Sequence, residues 1–258
     1  MISEGSRARS SFIDVWTTWM GRADRSLKKR GFLGTVQAAA AIFKYKVING
    51  FNRLLLDPWM NYWCRVFDRR FGVDTAGSIF LPELQSDPRF KNSLYYDPTP
   101  RSLFFRMLRQ LDVDYSRFVF VDFGCGKGKA LLLAAELPFK QIIGVELSPK
   151  LLGIAESNLK SYISKTRKSN IFQLACMDAA EYQVPREPAV YYFYYPFQAQ
   201  VMCKVMEGLR SSLAAAPREA YVMCYSLPPE VRRIVDNSGF LMPIKQTSHY
   251  SIYKASGA

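Results

Sequence analysis

The residues most suited to binding or catalysis are five consecutive positions, Gly124-Cys125-Gly126-Lys127-Gly128, which stand between two acidic residues. An apolar run over 118–123 contains Asp122, and a second over 142–145 leads into Glu146, 22 residues after Gly124. Glycines permit positive φ and close approach of the backbone to a ligand. A carboxylate at the tip of the second strand can accept two ribose hydroxyls. The spacing predicts a strand–turn–helix–strand unit that binds a nucleoside, with a plain turn between strand and helix as the alternative.

Two other phosphate-binding patterns do not fit these glycines. Lys129 stands where the dinucleotide fingerprint G-x-G-x-x-G requires its last glycine. No Gly-Lys-Ser or Gly-Lys-Thr follows at the spacing of a P-loop, and Lys127 lies between two glycines. The glycine turn therefore matches neither the dinucleotide fingerprint nor the P-loop.

The segments VDFGCGKGKA over 121–130 and GVELSP over 144–149 resemble the first motif and the acidic post-motif of class I methyltransferases that use S-adenosylmethionine (SAM). The resemblance covers about residues 73–255 and is strongest to largely uncharacterised bacterial methyltransferases with a Pro-Thr segment upstream. It implies SAM as methyl donor and a doubly wound, seven-stranded, mostly parallel sheet. The motifs and the resemblance together predict these cofactor-binding residues: Tyr96, Thr99, Asp122, Gly124, Cys125, Gly126, Gly128, Glu146, Leu147, Met177, Asp178, Ala179 and Tyr195.

The third predicted strand, over 171–177, ends at Met177-Asp178-Ala179. In a doubly wound sheet this end faces the nucleoside, so Asp178 can accept a hydrogen bond from the adenine amino group. Met177 or Ala179 would then lie against the ring. The alternative is that Asp178 only caps the following turn.

Upstream of the glycines, Pro98-Thr99-Pro100 precedes a predicted helix over 101–111. Thr99 can cap that helix, and Pro100 suits its first turn. The resemblance implies more, because in similar methyltransferases this segment, here with Tyr95 and Tyr96, folds over SAM near its amino-acid end and its methyl group.

The predicted strand over 189–197 lies beside the first strand and ends in Tyr194-Tyr195-Pro196-Phe197. Similar methyltransferases carry Asn-Pro-Phe here, and Tyr195 takes the place of the Asn. The departure weakens the expectation of an amine acceptor held by an amide. An aromatic wall beside the sulfonium is one alternative, favourable by about 0.5–2 kcal/mol, and aromatic filling of the core is another.

Methyl transfer is a direct displacement that depends on alignment of the reacting groups. A general base is needed only where the nucleophile arrives protonated. The candidates for catalytic, mainly positioning, roles are Tyr96, Asp97 and Tyr195. His249, the single histidine, stands near a predicted hairpin turn between strands over 240–247 and 249–255, where an exposed histidine without a catalytic role is expected.

Composition excludes some classes of protein. The five cysteines form no C-x-x-C pair and the chain has one histidine, so no zinc site is predicted. Buried thiols near the predicted strands fit a reducing, cytoplasmic location, and residues 1–11 do not resemble a secretory signal. The net charge of +13 favours an anionic partner, with a solvated basic surface as the equal alternative.

Residues 1–72 are predicted to form a helical extension, with helices over 12–30, 35–56 and 59–71, ahead of a methyltransferase domain over 73–258. Lysines and arginines interrupt 35–56 too often for a membrane span. The basic helices over 12–70 either dock on anionic membrane, nucleic acid or a partner helix, or pack on the domain as a lid. The sequence thus predicts a SAM-dependent methyltransferase acting on a protein side chain or small molecule. The alternative is a SAM- or nucleoside-binding module that docks through these helices.

Overall fold

The chain winds around one seven-stranded sheet, described by a computed structural model that covers residues 57–80, 95–168 and 170–256. The strands of this sheet are β3 (Val119–Phe123), β4 (Gln141–Glu146), β5 (Phe172–Cys176), β6 (Ala189–Tyr194), β7 (Ala220–Tyr225), β8 (Leu241–Gln246) and β9 (Tyr250–Ala255). A separate two-stranded pair joins β1 (Ile79–Phe80) to β2 (Tyr95–Tyr96). The helices are α1 (Asp57–Phe71), α2 (Arg101–Leu108), α3 (Lys129–Ala134), α4 (Pro149–Thr166), α5 (Ala199–Ala215) and α6 (Pro229–Asp236).

The strand order is β5-β4-β3-β6-β7-β9-β8, and β9 runs antiparallel to both of its neighbours. The prediction of a doubly wound, mostly parallel sheet of seven strands is confirmed. From β3 the chain proceeds to β4 and β5 on one side, and then returns to β6 on the other side of β3. This reversal opens a crevice at the carboxyl ends of β3 and β6, where open α/β sheets bind their ligands.

Helices cover both faces of the sheet, so its central strands are mostly apolar, with Asp122 in β3 as an exception. All five residues of β3 are buried. Phe118 and Phe120 pack on the face that carries α1 to α4, whereas Val119, Val121 and Phe123 pack on the face of α5 and α6. At the outer edge, β8 is mostly exposed.

Of two predicted helix caps, the one at the start of α4 is confirmed and the one at the start of α2 is wrong. Ser148 caps α4 by accepting a hydrogen bond from the Leu151 amide at 3.3 Å, and Pro149 takes the first helical position, as predicted. The predicted cap of α2 by Thr99 is wrong. Pro100 precedes α2 and no side chain caps it, while the Thr99 hydroxyl lies 3.4 Å from the Tyr192 hydroxyl.

The predicted helices over 12–30 and 35–56 lie outside the described residues, and the third is found as α1. Phe67 of α1 belongs to the core on the α1–α4 face. Within the described ranges, no helix has the length and apolar character needed to cross a bilayer. The division of the chain at residue 72 stays a prediction.

Candidate active site

The glycine turn that follows β3 can hold only glycine at two of its positions. Gly124 and Gly126 have φ of 82° and 53°, in the left-handed region that side chains disfavour. A Cβ on Gly124 would come within 2.4 Å of the Pro196 side chain, and one on Gly126 within 2.3 Å of the Tyr96 ring. Tyr96 and Pro196 therefore pack closely against the glycine turn and leave no room for a side chain at Gly126 and Gly124.

Glu146 fastens this turn to the end of β4. One carboxylate oxygen accepts the Gly126 amide at 2.9 Å, and the other accepts the Ser148 amide at 2.8 Å. The side chain is buried, and burial raises the pKa of the carboxyl while the backbone hydrogen bonds lower it. The Leu147 amide also contributes to the lowering. A carboxylate offers about four acceptor sites, so Glu146 can still accept a hydrogen bond from a ligand.

Asp122 lies one residue before the end of β3 and is 3 % exposed. Burial raises its pKa well above the usual range, and the neighbouring Glu146 charge adds to the increase. Two carboxyls thus stand close together in a desolvated setting. A cationic group bound between them would stabilise their ionised forms.

A segment upstream of the sheet, residues 73–76, lies against the glycine turn and is called the strap below. The Asp68 carboxylate accepts the amides of Thr75 and Ala76, both at 2.7 Å. Asn158 accepts the Asp74 amide at 2.7 Å and donates to the Asp74 and Lys127 carbonyls at 2.8 and 2.9 Å. The Lys127 ammonium adds an ion pair to Asp74 at 2.9 Å. The strap, α4 and the glycine turn therefore form one hydrogen-bonded unit.

Tyr96 contributes its ring rather than its hydroxyl to this arrangement. The hydroxyl donates to the Thr75 carbonyl at 2.7 Å, and burial raises the pKa of the phenol well above 10. The ring covers Gly126 and stands 5.6 Å from the Lys127 ammonium. A buried phenol that donates its proton to a backbone carbonyl is unsuited to act as a base. The positioning role expected for Tyr96 stays a prediction. The next residue, Asp97, is exposed and accepts a hydrogen bond from the Ser78 hydroxyl.

These residues line one open cleft of about 950 Å³, including the solvent at its mouth. The cleft brings together twelve of the predicted site residues: Tyr96, Asp97, Thr99, Asp122, Gly124, Cys125, Gly126, Glu146, Leu147, Met177, Asp178 and Ala179. Gly128 and Tyr195 are not among its lining residues. Gly128 instead has φ of 83° and precedes α3, where an added Cβ would lie 3.2 Å from Ala155.

Asp178 performs the capping role that the sequence offered as an alternative, and it also lines the cleft. One of its carboxylate oxygens accepts the Ala180 amide at 2.9 Å, at the start of a short 3₁₀ turn over Ala179–Glu181. The second oxygen leaves room for a ligand contact. The two interpretations of Asp178 are therefore compatible.

The end of β6 differs from the predicted strand over 189–197. The strand stops at Tyr194, because Tyr195 takes a left-handed conformation with φ of 38°. Tyr195 is 38 % exposed, whereas Tyr194 lines the cleft and its ring centroid lies 4.5 Å from that of Tyr225. Alternation along a continuous strand would not give this change of direction, and no sequence signal marked it.

Lys129 is a cleft residue that the sequence reasoning missed. It opens α3, is 2 % exposed, and places its ammonium 3.2 Å from the centroid of the Phe67 ring and 4.0 Å from the Asp68 carboxylate. Burial lowers its pKa to about 8. The one available signal was its place at the head of the otherwise apolar run KALLLA.

Other predicted features lie away from the cleft. His249 is exposed in the turn between β8 and β9, and its carbonyl accepts the Ser226 amide at 2.8 Å. Of the cysteines near strands, Cys125 and Cys224 are buried, but the expected burial of Cys176 is wrong because it ends the outer strand β5 and is exposed. No cluster of His, Cys, Asp or Glu suited to a metal ion occurs in the described part of the chain. Of the residues 12–70 assigned to an anionic partner, only those from 57 onward are described, and none of their contacts favours such a partner.

Comparison with known proteins gives one family match. Residues 121–189, from the end of β3 to the start of β6, match the family model described as "Methyltransferase domain". No curated protein matches the chain.

Solved structures resemble it at low identity. A precorrin-6y C5,15-methyltransferase from Geobacter metallireducens is 15% identical, with 60% of this chain and 87% of that chain covered and a TM-score of 0.45. A putative RNA methyltransferase from Pyrococcus horikoshii is 20% identical, with 62% and 86% covered and a TM-score of 0.42. An RNA methyltransferase from Salinibacter ruber in complex with S-adenosyl-L-homocysteine is 21% identical, with 61% and 92% covered and a TM-score of 0.39.

Proposed function

We propose that this chain, an enzyme with a methyltransferase domain, transfers the methyl group of SAM to a protein side chain or a small molecule at the mouth of the cleft. The observation that carries the proposal is the hydrogen bond from the Gly126 amide to the Glu146 carboxylate at the carboxyl edge of the sheet. Both residues lie within the segment that matches the family model. The hydrogen bond holds the carboxylate that would bind the ribose beside a glycine turn that a ligand can approach closely.

The charge of the cleft supports SAM as the donor. The whole chain carries a net charge of +13, yet four carboxyls line the cleft: Asp97, Asp122, Asp178 and Glu146. SAM has a sulfonium and an ammonium group, and carboxylates stabilise cations in a poorly solvated site. A basic protein with an acidic cleft is suited to a small cationic ligand.

Each carboxyl has a proposed role that follows from its surroundings. Glu146 would accept the ribose hydroxyls through its remaining lone pairs, and the free oxygen of Asp178 would accept the adenine amino group. Leu147, Met177 and Ala179 would contact the purine. Asp122, next to the glycine turn, would face the ammonium group of the amino-acid end, together with Thr99.

The chemistry supplied by SAM is an electrophilic methyl group on a positively charged sulfur. The chain orients that group and excludes water, chiefly with Tyr96 and Pro196, which pack against the glycine turn, and with Phe197, which lines the cleft. Asp97 is the exposed carboxyl of the cleft and is the proposed proton acceptor for a nucleophile that arrives protonated. Tyr194 and Tyr195, at the end of β6, would contact the acceptor.

Calorimetric titration of the full chain with SAM and with S-adenosylhomocysteine tests the proposal. We expect both to bind, since the carboxyls and the glycine turn contact parts that the two ligands share. Absence of binding up to millimolar concentration would contradict the proposed donor. Asp97→Asn separates the roles further: turnover on an identified acceptor should fall at least tenfold while SAM affinity stays within about twofold.

A further inference from the structure

Lys129 is the one cation among the described residues that line the cleft. The other charged groups there are the four carboxyls. SAM carries one anionic group, the carboxylate at its amino-acid end, beside its two cationic groups. The cleft thus offers a single positive side chain for the single negative charge of the proposed donor.

The Lys129 ammonium is under-satisfied as the structure stands. An ammonium has three N–H donors, and the described part of the chain gives this one no hydrogen bond. Its side chain is 3 % exposed, and its ion-pair partner Asp68 lies 4.0 Å away. The Asp68 carboxylate already accepts three hydrogen bonds from the strap, one from the Thr75 hydroxyl at 2.5 Å and two from the Thr75 and Ala76 amides.

A buried ammonium that is paired at this distance is costly, and a second anion within hydrogen-bond reach would offset part of that cost. The Phe67 ring below the ammonium supplies a cation–π contact but accepts no strong hydrogen bond. The ammonium therefore keeps N–H donors for an anion, and Lys129 is among the residues that line the cleft.

The position of Lys129 indicates which anion this is. Lys129 follows the glycine turn directly and lines the same cleft as Tyr96 and Thr99, in the segment expected near the amino-acid end of SAM. We propose that Lys129 binds the α-carboxylate of SAM and so fixes the end of the cofactor opposite the adenine. This inference rests on the proposed function.

A purely structural role is the competing explanation. In that case Lys129 would only hold α1 in place through Phe67 and Asp68, and its loss would weaken every ligand of the cleft to the same extent. A carboxylate-binding role instead predicts a loss confined to ligands that carry the carboxylate. The two explanations are separated by a pair of ligands that differ in this group alone.

The experiment is calorimetric titration of the wild-type chain and Lys129→Met with SAM and with decarboxylated SAM. We expect the wild type to prefer SAM by about tenfold or more, as for hydrogen bonds to a charged group. Lys129→Met should reduce this preference to within about twofold, while Lys129→Arg keeps most of it. Lys127→Met is the matched control, because Lys127 is engaged by Asp74 and Ala76, and its loss should leave the preference unchanged.

Equal affinities of the wild type for the two ligands would overturn the inference, even if Lys129→Met fails to fold. An equal loss of both ligands in a folded Lys129→Met would overturn it as well and favour the structural role. Absence of binding of either ligand to the wild type would instead contradict the proposed function itself, so the two failures are distinguishable.

Discussion

The Glu146 carboxylate accepts hydrogen bonds from the Gly126 and Ser148 amides, and it also lines the cleft, where it can accept a hydrogen bond from a ligand. Its substitution would remove the proposed contact to the ribose and would also leave two buried amides without their acceptor. Structural and binding effects are coupled at this residue.

We expect Glu146→Ala to weaken S-adenosylhomocysteine by about 1.5–3 kcal/mol, as for lost hydrogen bonds to a charged group. Calorimetry measures this loss, and thermal unfolding should show a lower melting temperature. Glu156→Ala is the matched control, because Glu156 is exposed and pairs only with Lys160 on the surface of α4. Unchanged affinity in Glu146→Ala would show that the ribose lies elsewhere.

Asp122 offers a test in which stability and binding change in opposite directions. Its folded-state pKa is raised, so its contribution to stability is present below the unfolded pKa and is lost as the pH rises through the folded pKa. At neutral pH the Asp122 carboxyl therefore lowers the stability of the ligand-free chain.

Asp122→Asn removes this destabilising carboxyl, so at pH 7 its melting temperature without ligand should equal or exceed that of the wild type, while at pH 4 the difference should shrink. SAM affinity of the variant should fall, because a carboxylate near the ammonium is lost. Thermal unfolding across this pH range and calorimetry measure the two effects. A variant less stable than the wild type at pH 7 would contradict the argument.

Several of these residues could be found from the sequence and others could not. The glycine turn, Asp122 and Glu146 occur at fixed distances along one strand–helix–strand unit, so their proximity follows from local structure. Lys129 was passed over because its burial depends on Phe67 and Asp68, which come from α1, about 60 residues earlier. Tyr194 replaced Tyr195 in the cleft because a left-handed residue at the end of β6 changed the direction of the side chains.

At the scale of elements, the strap depends on Asn158, whose amide side chain makes all of its three hydrogen bonds with the strap and the glycine turn. Asn158→Ala should lose roughly 1–3 kcal/mol of stability, because buried partners are left unsatisfied. Hydrogen exchange should then be faster at the Asp74 amide. Ser157→Ala, one position earlier, is the control, since the Ser157 hydroxyl is exposed and only donates to Gly153 within the helix. Equal exchange in both variants would contradict this role of Asn158.

The glycine turn permits a comparison of two Gly→Ala substitutions. Gly126→Ala combines a positive φ with a contact of 2.3 Å to the Tyr96 ring, so we expect loss of cofactor binding and reduced stability. Gly153→Ala lies in α4, where the added Cβ would meet no atom within 4 Å outside the backbone of its own helix, and it should stabilise the chain by about 0.5–1 kcal/mol. Thermal unfolding and calorimetry of both variants test this, and a neutral Gly126→Ala would show that the turn can rearrange.

The elements themselves were largely predictable, because continuous apolar runs mark the buried parallel strands and Ser148-Pro149 marks the start of α4. The strap was not predictable. Its residues have no periodic pattern, and it is held by side chains from α1 and α4 that only the folded chain brings together.

At the scale of the whole molecule, the net charge of the chain and the charge of the cleft differ in sign, a difference that composition does not reveal. The net charge of +13 describes the chain as a whole, while the cleft at the carboxyl edge of the sheet is lined by four carboxyls and one lysine. Composition alone therefore suggested an anionic partner, whereas the cleft is suited to a cationic ligand. The strand order carries this difference, because it brings Asp122, Glu146 and Asp178 from three strands to one edge.

The attachment of the strap also has a consequence for biosynthesis. Asp74 leaves the ribosome early, yet its partners Lys127 and Asn158 are 53 and 84 residues further along the chain. The nascent strap can dock only after β3, β4 and the first half of α4 have been translated. The strap is therefore made before the glycine turn and α4, yet it can take its place only after they have been made.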